Sequence, residues 1–382
     1  MEIGRGTLKW MRRLRAAIPG GLLGMLVVVV AVERYVRFYD RVFCSSNGWE
    51  WRGSALAARQ EAPACEILCF GDSLSKLGVL PRAIEARTGR RAYNLACSGS
   101  EPPCHYFLLR QALAAGSRPT AVVVNIHAPL MSTDPRRNVE MWPYLLSLRE
   151  CAELAWEERD ASFFASMALA RFLPTVRFRF PLRKCIKDVF VRAPNMVFSH
   201  TFVATRLWRV NRGAAPTPGR RDNLPDIEDW GKHYVGTCAF SKINRTYISR
   251  FLQLAIERNI RVYWLIPPME PALDAWCQRT GFASKERQFL RALQARFPNL
   301  VVIDARGTNY DPGVFWDRHH LEKEGAVAYS IDLGNVLRHD LARGSGGGKW
   351  IALPQYQAHV ADFMIEDIAQ AGLALGKGPT VR

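Results

Sequence analysis

Ile67-Leu68-Cys69-Phe70-Gly71-Asp72-Ser73-Leu74 is the stretch that decides how the rest of this chain is read. Ile67 to Phe70 form a short apolar run that predicts a buried strand. Gly71 permits a sharp turn, and the residues after Ser73 take on a helical pattern ending near Pro81. Ser73 therefore falls at a strand-to-helix turn, where the first free N–H groups of a helix face any negative charge developing beside its hydroxyl. A serine hydroxyl is a weak nucleophile until an imidazole takes its proton, and that imidazole needs a carboxylate to hold it in one tautomer. The plainer account of the same residues is a helix cap at Ser73, with Asp72 as an ordinary turn residue.

Asp317-Arg318-His319-His320 supplies the two partners. Asp317 and His320 are three residues apart, which places both side chains on one side of a helical turn, just ahead of the helix-like stretch Leu321 to Leu337. His319 is the competing base, but residues two apart on a turn do not face each other. A strand over Leu300 to Ile303 precedes the pair. Ser73, Asp317 and His320 are thus the candidate nucleophile, orienting carboxylate and base.

These residues resemble the SGNH/GDSL hydrolase family. The resemblance covers about Cys65 to Leu130 and about Asn259 to Leu337, and not the stretch between. Its first block is matched by Gly71-Asp72-Ser73-Leu74, its second by Asn94-Leu95-Ala96-Cys97-Ser98-Gly99, and its last by Asp317 to His320 with Leu321 and Gly325. It implies a compact parallel sheet between helices, and oxyanion donors from the Ser73 N–H, the Gly99 N–H and an asparagine side chain. One block departs. After Val122-Val123-Val124-Asn125-Ile126, where the family shows Gly-x-Asn-Asp, this chain has His127-Ala128-Pro129-Leu130, and Pro129 at the asparagine position cannot donate. Losing one such donor costs on the order of 3 kcal/mol in the transition state. Asn125 and His127 are the nearest substitutes; Asn125 is also explained as a buried polar residue bonded to backbone.

Strands over Glu66 to Phe70, Ala92 to Leu95, Ala121 to Ile126, Ile260 to Ile266 and Leu300 to Ile303, alternating with helical patterns, predict an α/β fold. Its expected form is a three-layer parallel sheet flanked by helices, SGNH- or flavodoxin-like, with a mostly helical insertion and ligands at the carboxyl ends of the strands. The chain of 382 residues, 48% hydrophobic, can bury one large core or two modest ones. The expected division is residues 1–45 as a basic segment and anchor, 46–130 and 243–340 as the two parts of the catalytic domain, 131–242 as the insertion, and 341–382 as a Gly-rich linker and tail. In that tail, Gln355 to Leu375 has a loose amphipathic pattern that can dock on the domain or on a partner.

Ala16 to Val32 is an uncharged apolar run of 17 residues behind Arg5, Lys9, Arg12, Arg13 and Arg15. That asymmetry predicts a single-pass signal anchor with a cytoplasmic N-terminus and the catalytic domain outside the cytoplasm. No small-x-small cleavage site follows the run, which disfavours a removed signal peptide; the basic flank disfavours a buried core helix. Nine cysteines fit an oxidising compartment without requiring it, and scattered buried thiols are the blander account.

Of the formal net charge of +17, a large share sits between Arg171 and Arg221, where twelve Lys or Arg stand against one acid, Asp188, or 12 − 1 = +11. Anionic lipid head groups or an acidic glycan are the partners such a patch would attract, and a solvated basic face without a ligand is the alternative. No nucleic-acid-binding module is present, and nucleic acid is not expected. Trp142, Phe163, Phe164, Phe172 and Phe178, interleaved here, read as core. The expected activity is that of a serine esterase or O-acyl (acetyl) transferase acting on an ester such as an acylated surface glycan, with no cofactor and no metal. The alternative is an inactive envelope scaffold that binds an anionic partner through its insertion.

Overall fold

Side chains alternate between the two sides of a strand, and here both sides are covered. In the computed structural model Leu68 and Phe70 of strand β1 (Ile67–Gly71) enter one core with Val122, Val124, Val262 and Trp264, whereas Ile67 and Cys69 enter a second with Val123, Tyr263, Val301 and Ile303. The structure describes residues 20–191, 197–221, 224–234, 240–344 and 348–375. β2 (Ala92–Asn94), β3 (Ala121–Asn125), β4 (Arg261–Ile266), β5 (Leu300–Asp304) and β6 (Trp350–Ala352) complete one open, all-parallel sheet in the order β2-β1-β3-β4-β5-β6. Helices Ser46–Gln60, Pro102–Ala114, Lys242–Glu257 and Phe282–Arg296 cover the first face; Pro81–Thr88 and Lys323–Ala342 cover the second. The fold is three-layered α/β, as the alternating pattern predicts.

The chain leaves β1 for β2 on one side and crosses to β3 on the other, so the strand order reverses at β1. In an open α/β sheet the carboxyl ends of the strands at such a reversal are the usual place for a ligand. Ser73 follows β1, Gly99 follows β2, His127 follows β3, and Asp317 to His320 follow β5.

Between β3 and β4 the chain is helical over Leu148–Glu157, Ala161–Phe172, Arg179–Val191 and Val197–Asn211, with short turns of helix between. Trp142, Phe163 and Phe178 are buried as expected, and Phe164 packs on the first core; Phe172 is exposed. Much of the positive charge is answered from outside the segment or from its flank: Arg179 pairs with Glu140 at 2.6 Å, Arg206 with Glu366, Arg212 with Glu85, and Arg220 with Glu270 at 2.6 Å.

The tail docks on the domain, one of its two expected placements, through Phe363 and Ile365 on the second core, and it adds an unexpected sixth strand, Trp350–Ala352; Ser345 to Gly347 of its linker lie outside the described residues. The single-pass anchor is overturned, and the extracytoplasmic placement falls with it. No helix among the described residues is long and apolar enough to cross a membrane. The helix Gly20–Phe38 has 19 residues, but its apolar stretch stops at Val32 and Glu33, Arg34 and Arg37 follow. Two of those charges serve tertiary contacts: Glu33 accepts the Thr175 N–H at 3.1 Å and Arg37 donates to Phe172 O at 3.0 Å. The start of the expected span, Ala16 to Pro19, and the basic segment before it lie outside the described residues. Seven of the eight described cysteines are buried free thiols and Cys185 is half-buried; Cys238 lies outside the described residues.

Candidate active site

Gly71 ends β1 at φ +143, where a Cβ would lie 2.4 Å from both Asn125 O and Ser75 Oγ. Only glycine lets the two strand ends approach this closely. The next residue, Asp72, is the true helix cap. Its Oδ1 accepts the Leu74 N–H at 2.8 Å, and its Oδ2 accepts the His127 N–H at 2.6 Å, tying the β1 turn to the end of β3. Burial pushes the Asp72 carboxyl up to about 6 against the pull of these two backbone N–H groups. With capping assigned to Asp72, the half-buried Ser73 opens the helix Ser73–Gly78 with its hydroxyl free for another partner.

That partner comes from 247 residues away. His320 Nε2 lies 2.8 Å from Ser73 Oγ, and His320 Nδ1 lies 2.7 Å from Asp317 Oδ2. Asp317 and His320 share no helical turn; the helix begins only at Lys323. A bend brings them together, because Asp317 Oδ1 accepts the backbone N–H of His319 at 2.9 Å and of His320 at 2.8 Å. Burial alone would raise the Asp317 carboxyl. The hydrogen bond from His320 and the neighbouring imidazoles outweigh it and hold the group far below the usual carboxylate range. An ionised Asp317 keeps the His320 proton on Nδ1 and leaves Nε2 as an acceptor aimed at the Ser73 hydroxyl. This set can withdraw a proton from serine and return it to a leaving group.

His319 does not reach Ser73. Its Nδ1 lies 3.3 Å from Trp230 Nε1 and 2.9 Å from the Tyr234 hydroxyl, which in turn lies 3.0 Å from His127 Nε2. The rings of His319 and His320 are 4.2 Å apart, those of His127 and His319 5.0 Å. Asp317, His319 and His320 are close enough to share a metal ion. Both Asp317 oxygens and both His320 nitrogens are already engaged, so a metal would have to displace the contacts to Ser73 or between the pair.

On the oxyanion side, Gly99 sits at φ +69 in the loop after β2. Neither its N–H nor that of Ser73 is bonded among the described residues, while the Gly99 carbonyl is held by Asn138 Nδ2 at 3.0 Å. Asn125 is turned to the sheet: its Nδ2 donates to Leu265 O at 3.2 Å and its buried Oδ1 has no partner. Pro129 lies in the short helix Ala128–Met131. Sequence reasoning reached His127 and His319 as minor candidates and missed Trp230 and Tyr234, which stand in a segment without a recognisable motif. No protein-family model matches this chain, and no curated protein matches it, so a functional assignment rests on the site itself.

Proposed function

We propose that this chain is a serine esterase or O-acyltransferase of SGNH type. The observation that carries this is the unbroken run of contacts from Ser73 Oγ to His320 Nε2 and from His320 Nδ1 to Asp317. In the proposed cycle Ser73 attacks an ester carbonyl and His320 takes its proton, then gives it to the departing alcohol; Asp317 orients the imidazole and stabilises its charged form. The Ser73 and Gly99 N–H groups meet the oxyanion. Water as the second acceptor gives hydrolysis and an alcohol gives transfer, through the same acyl-enzyme. An acylated glycan is a substrate of this class.

The second reading is a scaffold of the same fold without turnover. Pro129 and the inward-turned Asn125 favour it, since neither offers the third oxyanion donor. A fluorophosphonate probe separates the two. The proposal expects labelling of the full chain that disappears in Ser73→Ala; a folded wild-type chain that stays unlabelled would leave the scaffold.

A further inference from the structure

Hydrogen-bond chemistry around Tyr234 fixes where the proton of His319 resides. An indole nitrogen only donates, so Trp230 Nε1–H beside His319 Nδ1 requires a lone pair on that nitrogen. The Tyr234 hydroxyl at 2.9 Å from the same atom must then direct its own proton there, and His127 Nε2 at 3.0 Å must donate to the phenol oxygen. Neutral His319 is left with its proton on Nε2. No described residue accepts that proton, and Nε2 is not among the buried polar atoms that lack a partner, so it is reachable from solvent on a ring 4.2 Å from that of His320. Burial and the adjacent His320 and His127 rings keep the His319 imidazole well below its ordinary value and hence neutral. Neutrality matters, because a cation packed on the base would oppose its taking a proton.

Resting on the serine-nucleophile reading, we propose that His319 Nε2–H is the side-chain donor to the acyl oxygen, in the role Pro129 leaves vacant. As Ser73 Oγ bonds to the acyl carbon, its proton passes to His320 Nε2 and the carbonyl π pair moves onto oxygen. His319 donates a hydrogen bond to that oxygen and keeps its proton. On collapse the pair re-forms C=O, the ester C–O bond breaks, and the leaving alkoxide takes the proton from His320. Trp230 and Tyr234 are positioning residues that hold the His319 tautomer, and acyl esters are the substrate class.

The test is steady-state hydrolysis of p-nitrophenyl acetate by the full chain, with His319→Ala, His319→Gln and Ser73→Ala. Loss of one oxyanion donor lowers kcat by about 100- to 1,000-fold. We expect that loss in His319→Ala with KM nearly unchanged, and recovery of roughly tenfold or more in His319→Gln, whose amide can still donate. Turnover by His319→Ala close to wild type overturns the assignment while leaving the nucleophile intact. So does a His319→Gln no faster than His319→Ala when both melt with wild type. Wild-type turnover that does not depend on Ser73 overturns both readings together. A measurement on the unsubstituted chain guards against variants that fail to fold: the His319 Nε2–H proton resonance should move downfield when a fluorophosphonate adduct places its P–O oxygen in the site. An unmoved signal rejects the donor.

Discussion

Asp317 divides two tasks between its oxygens: Oδ1 closes the bend by accepting two backbone N–H groups, and Oδ2 holds the proton-bearing Nδ1 of His320. Its low-lying carboxyl stays ionised wherever the chain is folded near neutrality, so mild acid does not disable Asp317. Asn in its place separates the two tasks. The amide oxygen keeps the bend, while the amide N–H faces His320 Nδ1 and drives the imidazole proton to Nε2, where it cannot accept from serine. Asp317→Asn should therefore melt near wild type yet lose roughly 10⁴-fold in kcat toward p-nitrophenyl acetate. A loss under tenfold would mean that this carboxylate does not set the tautomer.

At the scale of elements, the loop after β2 depends on a contact between two segments. Asn138 Nδ2 donates to Gly99 O at 3.0 Å and to Glu101 Oε2 at 2.7 Å, so a single amide fixes both the loop and the start of the helix Pro102–Ala114. Burial pushes the fully buried Glu101 carboxyl up to about 7, despite Asn138 and Arg137. Such a group binds its proton more tightly in the fold than in the unfolded chain. Its stabilising share is thus full below the ordinary value of 4.5 and is lost as pH rises through about 7. Glu101→Gln, which mimics the protonated form, should match wild type in urea midpoint at pH 5 and exceed it at pH 8.5. A difference that does not change between those pH values would show that Glu101 titrates alike in both states. This part of the site was only half legible. β1, β3, β4 and β5 announce themselves because parallel strands buried on both faces read as unbroken apolar runs. Gly99 falls where the run Asn94 to Gly99 places it. Nothing near Glu101 in sequence names Asn138, and nothing near His319 names Trp230 or Tyr234, because hydrogen bonds across 37, 89 and 85 residues leave no local pattern. The bend at Asp317 was hidden for the opposite reason: a spacing of three suits a helical turn and an Asp-capped bend equally well.

Over the whole molecule, the last described residues act as a brace; the amphipathic pattern of Gln355 to Leu375 hinted at docking, but β6 escaped the sequence, since a three-residue edge strand behind a Gly-rich stretch carries almost no periodic signal. β6 covers the edge of β5: Val302 N–H donates to Lys349 O at 2.8 Å, and Leu353 N–H to Asp304 O at 2.9 Å. Beyond it, Asn211 Nδ2 donates to Glu366 O at 2.7 Å, Arg206 pairs with Glu366, and Lys323 Nζ reaches Asp367 at 3.1 Å. The tail thereby links the helix Val197–Asn211 to the helix Lys323–Ala342, which follows the base-bearing bend. Removing residues 343–382 would bare the backbone of β5, a strand whose side chains Leu300 to Ile303 are buried, and an uncovered apolar edge invites pairing with another copy. It would also free the helix Val197–Asn211, whose Trp208 packs on Gly53. We expect the truncated chain to lose on the order of 10 °C in Tm and to form soluble aggregates on size-exclusion chromatography. The Trp208→Phe variant of the full chain, which keeps β6, should elute with the unsubstituted chain. A truncated chain that elutes and melts with the full-length protein would show that five strands close this sheet without help.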